Sequence, residues 1–220
     1  DKTYGLSSSE KFKVSVEAAA NTKRPLEIKG NNIIVSNSKG SGFDIGSAVT
    51  DITVETDKKP VYLSLKTSTT TTFFNVGVRT ILTPKEIKEG NIKNTKGLSL
   101  LNLFGIDPDR FCTIFNDEVK TESGVEKVKA KPELQNLLQS GIGYGYHVIH
   151  KVKNNILSYE MSREKMVQSS RVVGGVTIYY GGKKGKGKRV DVEMNSKYYK
   201  FGLNIRDTQG KDGYPTRMMC

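Results

Sequence analysis

The sequence predicts an α+β fold: a mixed central sheet flanked by helices, with a β-rich extension toward the C-terminus. Three observations predict it. Residues 51–55 (DITVE) and 61–66 (VYLSLK) alternate apolar and polar side chains strictly, as half-buried strands do. Residues 132–141 open with Pro132, carry Leu134, Leu137 and Leu138, and close at Gly141, a helix with both its start and stop signals. Beyond Leu157 the texture turns to β, with 172–180, 188–194 and 197–205 reading as strands. A chain of 220 residues with 35% hydrophobic content suits one domain over 1–220, in which 155–220 is an extension.

Taken in order, Ser7, Ser8 and Ser9 ahead of Glu10 make a helix N-cap region. Phe12, Val14, Val16 and the alanines at 18–20 continue it as a short helix, although Phe12, Val14 and Val16 also alternate as a strand would. Residues 21–31 are polar, 32–36 form a short strand, and 37–42 a flexible loop ahead of Phe43, Asp44 and Ile45. The hairpin over 51–66 follows. Ile52 and Val54 share one face with Val61, Leu63 and Leu65; the other carries Asp51, Thr53, Glu55, Tyr62, Ser64 and Lys66. With Lys58 and Lys59 at the centre of the turn, Asp51 falls opposite Lys66, Thr53 opposite Ser64 and Glu55 opposite Tyr62. Residues 67–72 are nearly all Ser and Thr, an irregular segment. Helices follow over 84–90 and, started by Pro108, over 109–116; the helix at 132–141 then delivers the chain into a strand at 144–152.

The formal charge is +12, and Lys183, Lys184, Lys186, Lys188 and Arg189 supply five of the positives in a glycine-rich hairpin tip. Such an excess favours polyanions through phosphate neutralisation; solubility is the plainer alternative. No apolar run approaches the length of a membrane span, and the first residues lack a signal-peptide pattern. Cys112 and Cys220 are too few for a disulfide framework and lack metal-ligand spacing, which fits a reducing compartment such as the cytoplasm. The missing initiator methionine and the end at Cys220 suggest a piece of a longer chain. His147 and His150 lie on opposite faces of one strand and make no metal pair. No Ser/His/Asp set, phosphate loop or CxxC pair is present.

Asp51, a short hairpin and then Lys66 resemble the core of the PD-(D/E)xK nuclease superfamily, which includes the type II restriction endonucleases. The tripeptide Ser64, Leu65, Lys66 resembles the "SLK" strand of phage proteins in that superfamily, and the ending around Asn204, Ile205, Arg206, Gln209, Gly210, Tyr214 and Pro215 is similar to theirs. The resemblance implies a restriction-endonuclease-like fold and phage origin. It also implies Mg²⁺- or Mn²⁺-dependent cleavage of DNA, with a homodimer as one arrangement and the host cytoplasm as the place of action. Asp51 would bind the metal, Lys66 would position or help deprotonate the attacking water, and Ser64 would orient water or phosphate. Ser64 stands where the superfamily usually has Asp or Glu, so a second metal carboxylate is needed. Glu55 is nearest on the same face but about 13 Å along the strand; Glu17 or Glu10 on the N-terminal helix are the other options, and Asp44 a further one with a turn role as its alternative. Lys183, Lys184, Lys186, Lys188, Arg189 and Arg206 would grip the nucleic-acid backbone. A nucleic-acid-binding or virion-associated protein without catalysis, and a structural protein with a solvated polar face, are the competing classes.

Overall fold

The computed structural model describes residues 13–16, 24–37, 42–67, 70–116, 124–185 and 187–220. Among them the chain is α+β. In order come β1 (Lys13–Val16), β2 (Leu26–Lys29), β3 (Asn32–Val35), α1 (Gly46–Val49), β4 (Ile52–Glu55), β5 (Val61–Lys66), β6 (Asn75–Gly77), α2 (Pro84–Lys88), α3 (Thr95–Phe104), α4 (Pro108–Asn116) and β7 (Val125–Lys129). Then follow α5 (Leu134–Ile142), β8 (Tyr146–Val152), β9 (Asn155–Met161), α6 (Arg163–Ser170), β10 (Val173–Tyr180), β11 (Arg189–Asn195), β12 (Lys200–Arg206) and β13 (Arg217–Met219). No helix among the described residues is long and apolar enough to cross a membrane.

The chain forms two compact units. The first draws on described residues within 1–23, 37–72 and 143–166. Its five-stranded sheet runs β1-β4-β5-β8-β9 and is mixed: β5 and β8 are parallel and the other neighbours antiparallel. The short helix α1 packs on β5 and β8. Only glycine fits at Gly46, because a Cβ there would lie 2.1 Å from the Gly145 carbonyl oxygen and 2.6 Å from the Tyr62 ring.

The second unit comprises described residues within 24–36, 73–142 and 167–220. A six-stranded antiparallel sheet runs β6-β13-β12-β11-β10-β7, and β2 and β3 form a separate hairpin. One sheet face is apolar and buried, with Ile178, Val190, Val192, Leu203, Ile205 and Met218 each at most 1% exposed. Helix α4 covers β10 and β11. The helix ends follow capping rules: Thr83 Oγ1 accepts from Glu86 N ahead of Pro84, and Asn94 Oδ1 accepts from Lys96 N (3.0 Å) and Gly97 N (3.3 Å) at the start of α3.

Three local expectations are corrected. Residues 13–16 are strand, not helix; the β-branched Val14 and Val16 suit a pleated edge, and their backbone pairs antiparallel with β4. The polar stretch 21–31, for which the sequence predicts no strand, contains β2, joined to β3 by a two-residue turn in which Gly30 has φ 58°. In the β4–β5 hairpin, Thr53 lies opposite Tyr62 and Val54 opposite Val61, two residues from the expected register. Thr56 causes the shift. Its hydroxyl accepts from the N–H of Lys58 (3.2 Å) and Lys59 (3.3 Å) and donates to Lys59 O (2.9 Å), which turns the chain earlier. A two-residue shift preserves the faces.

Candidate functional site

The altered register places Asp51 immediately before Ile52, the first residue of β4, lying along β5. Its N–H donates to Leu63 O at 2.8 Å, and its Oδ2 accepts from Leu65 N at 2.7 Å. Asp51 therefore sits not opposite Lys66 but against the backbone that presents it. Burial pushes the Lys66 amine below its ordinary value, and the Asp51 carboxylate opposes that shift. The pair is thus coupled electrostatically, with burial the stronger influence. Asp51 Oδ1 has no protein partner among the described residues.

Ser64, on the same strand face, is 1% exposed, and its hydroxyl has no hydrogen-bond partner. A buried orphan hydroxyl costs about 1–3 kcal/mol unless something answers it. The parallel pairing of β5 with β8 sets Ser64 beside Val148 and Lys66 beside His150. His150 is 9% exposed, and its Nδ1 lies 3.4 Å from Thr71 Oγ1. His150 was missed as a neighbour of Lys66 because strand periodicity says which face it occupies but not which strand it joins, some eighty residues away. His147, on the opposite face, is paired with Glu160 across β8 and β9; burial lowers its basicity and Glu160 partly restores it.

Glu55 is not brought to this pair. It ends β4, is exposed, and lies 3.8 Å from Lys13 Nζ. With Ser47, Thr50, Thr53, Thr56 and Tyr62 it borders a hydroxyl-rich cleft of about 550 Å³. Asp44 serves the backbone: it bridges to Tyr144, and its carbonyl accepts from Asn37. Glu17, Glu10 and Lys186 lie outside the described residues.

A hard divalent cation takes six or more oxygen ligands, usually with more than one carboxylate when protein supplies them. Among the described residues no three His, Cys, Asp or Glu side chains gather to hold a metal. Asp51 alone does not fit Mg²⁺ or Mn²⁺. Both thiols are buried, and loss of solvation pushes Cys112 up to about 11 and Cys220 up to about 12, away from the thiolate form.

In the second unit the basic hairpin is partly spoken for. Lys183 is bound to Glu193 through its amine and to Asp191 through its backbone N–H (3.2 Å). Arg189 donates twice to Asp191 Oδ1, at 2.9 and 2.5 Å. Lys184 is exposed, and Lys188 lies 5.9 Å from the Tyr214 ring. Arg206 differs from these: its Nε is buried without a partner.

No family model matches this chain, and neither the curated proteins nor the solved structures provide a match.

Proposed function

We propose that the protein hydrolyses phosphodiester bonds of DNA on a restriction-endonuclease-like sheet, with Asp51 and Lys66 as its reacting pair. The observation that carries this reading is the coupling of a carboxylate to a burial-weakened amine at one end of β5 in a mixed sheet. An amine biased toward its neutral form is suited to take a proton from an attacking water. Asp51 holds the Leu65 N–H with one oxygen and keeps the other for water. Ser64 offers an unanswered hydroxyl beside them. A divalent cation would need a further carboxylate, Glu17 or Glu10.

A second reading has its own support: a nucleic-acid-binding or virion-associated protein of the same fold without catalysis. The near-complete burial of Ser64 and the distance of Glu55 from the pair favour it. Either protein would work in the cytoplasm, the host's if phage-encoded.

Supercoiled plasmid incubated with Mg²⁺ or Mn²⁺ separates the two. Wild type is compared with Asp51→Ala and Lys66→Ala, folding is checked by circular dichroism, and EDTA is the control. Nicking that both folded variants lose is the expected result, and the EDTA arm shows whether a cation takes part in it. Wild type inert with both metals, while still retarding DNA on a gel, overturns hydrolysis in favour of binding alone.

A further inference from the structure

The antiparallel sheet of the second unit has a second face, opposite the one α4 covers. Its registers put Arg189 opposite Arg206 and Arg206 opposite Arg217, so three arginines stand abreast on three adjacent strands. Alternation places Asp191, Glu193 and Lys200 on this face, with Lys127 and Lys129 arriving on β7 through Thr177 and Gly175 of β10. That is six cations against two carboxylates, and the carboxylates are committed. Asp191 is held by Arg189, and Glu193 is bound by Lys183, Lys200 (3.3 Å) and the Tyr179 hydroxyl (2.9 Å).

Arg206 and Arg217 have no carboxylate partner among the described residues. Like charges directly opposite on neighbouring strands repel, and their Cβ atoms are about 5 Å apart. The Arg206 Nε lacks an acceptor, and two residues along the same strand face the Asn204 amide oxygen lacks a donor. The face is open beside them. A Cβ at Gly202 would meet nothing within 4 Å, and one at Gly77, opposite Arg217, would only touch the Arg217 guanidinium at 3.9 Å. A row of guanidinium groups without counter-charges matches phosphate oxygens, which arginine grips with two parallel hydrogen bonds.

We infer that the Arg206–Arg217 row binds phosphates of a duplex nucleic-acid backbone. The site goes beyond the hydrolytic reading and stands without it. Duplex rather than single strand follows from the face's chemistry: among the described residues its strands bring one aromatic side chain to it, Tyr179, whose hydroxyl is tied to Glu193. Single-strand binding without sequence preference depends on aromatic platforms for stacked bases, and this face offers none free.

The test is fluorescence anisotropy of a short labelled duplex in EDTA, which suppresses metal-dependent cleavage and leaves binding as the readout. Wild type is compared with Arg206→Gln, Arg217→Gln, the double variant and Lys96→Gln on the exposed surface of α3, a control matched in charge to each single variant. The double variant is expected to bind at least about tenfold more weakly, with the slope of log affinity against log salt shallower by about two. Lys96→Gln should stay within about twofold, as one dispersed charge contributes only to the general field. Arg206→Lys, which keeps the charge, should bind between wild type and Arg206→Gln, and serves where the glutamine variants do not fold. Equal losses from Lys96→Gln and the double variant would overturn the site in favour of diffuse charge. Tighter binding of a single strand, or displacement of the duplex by inorganic phosphate at constant ionic strength, would overturn the duplex assignment.

Discussion

The mixed sheet of the first unit keeps Lys66 coupled to a carboxylate and largely covered, whereas the antiparallel sheet of the second leaves Arg206 and Arg217 on an open face without one. Both sheets place cations at strand ends on a polar face. The difference lies in what covers that face. In the first unit α1 packs on β5 and β8, and on the polar face Thr53 and Ser64 are buried, so a charge there needs its counter-charge nearby. In the second, helix packing falls on the apolar face of β10 and β11; the other face buries Asp191 but leaves Lys127, Lys129, Lys200 and Gly202 exposed, and it tolerates an excess of one sign.

The largest expected effect probes the cover itself. Gly46→Ala should cost about 3 kcal/mol in urea unfolding, since its Cβ would collide with the Gly145 backbone, while Gly202→Ala on the open sheet should stay within about 0.5 kcal/mol. Equal effects would erase the contrast between covered and open faces.

A smaller effect separates charges inside the first unit. Asp51→Ala should cost about 2 kcal/mol, because it leaves the Leu65 N–H and the Lys66 amine without their acceptor and counter-charge. Glu55→Ala should cost less than about 0.5 kcal/mol, because its partner Lys13 is exposed and water screens the pair. If the two variants melt alike, Asp51 is a surface carboxylate like Glu55.

The smallest effect is a slope. Lys66 titrates lower in the folded chain than its ordinary 10.5. Between the lowered value and 10.5 the unfolded chain therefore holds a proton that the folded chain has released, and stability rises with pH across that window; below it the burial penalty is present in full. Lys66→Met should remove this rise, visible as a flatter dependence of the urea midpoint on alkaline pH than in wild type. Identical slopes would mean that Lys66 is as solvated as the open-face cations.

Much of the fold was legible because it is local. The strict alternation of 51–55 and 61–66, the proline-to-glycine bounds of 132–141 and the β-texture after Leu157 correspond to β4, β5, α5 and the strands β10 to β12. Where two local signals compete, the reading failed: Val14 and Val16 fit either period, and pairing with β4 decided for strand. The Gly30 turn between β2 and β3 is a hairpin signal set within a polar stretch. Helix α3 had a readable start in Asn94 and a stop in Gly105, whose φ is 76°, yet its alternation of Leu, Ser and Asn gives a weak helical stripe.

The site was legible as residue types on a face and not as partners. Strand periodicity assigned Asp51, Ser64 and Lys66 to one side, because side chains alternate whatever the strand pairs with. Register depends on how the turn satisfies its backbone, so a single Thr56 hydroxyl moved Asp51 from opposite Lys66 to the Leu65 N–H. Neighbours across a sheet depend on pairings between distant segments. Only the tertiary structure could set His150 beside Lys66, bury Ser64, and align Arg189, Arg206 and Arg217. By itself the sequence determined the elements, their faces and the basic excess, since these follow from side chains a few residues apart. Burial, register and coupling belong to the fold, because each is set by atoms that the chain brings together only when it closes on itself.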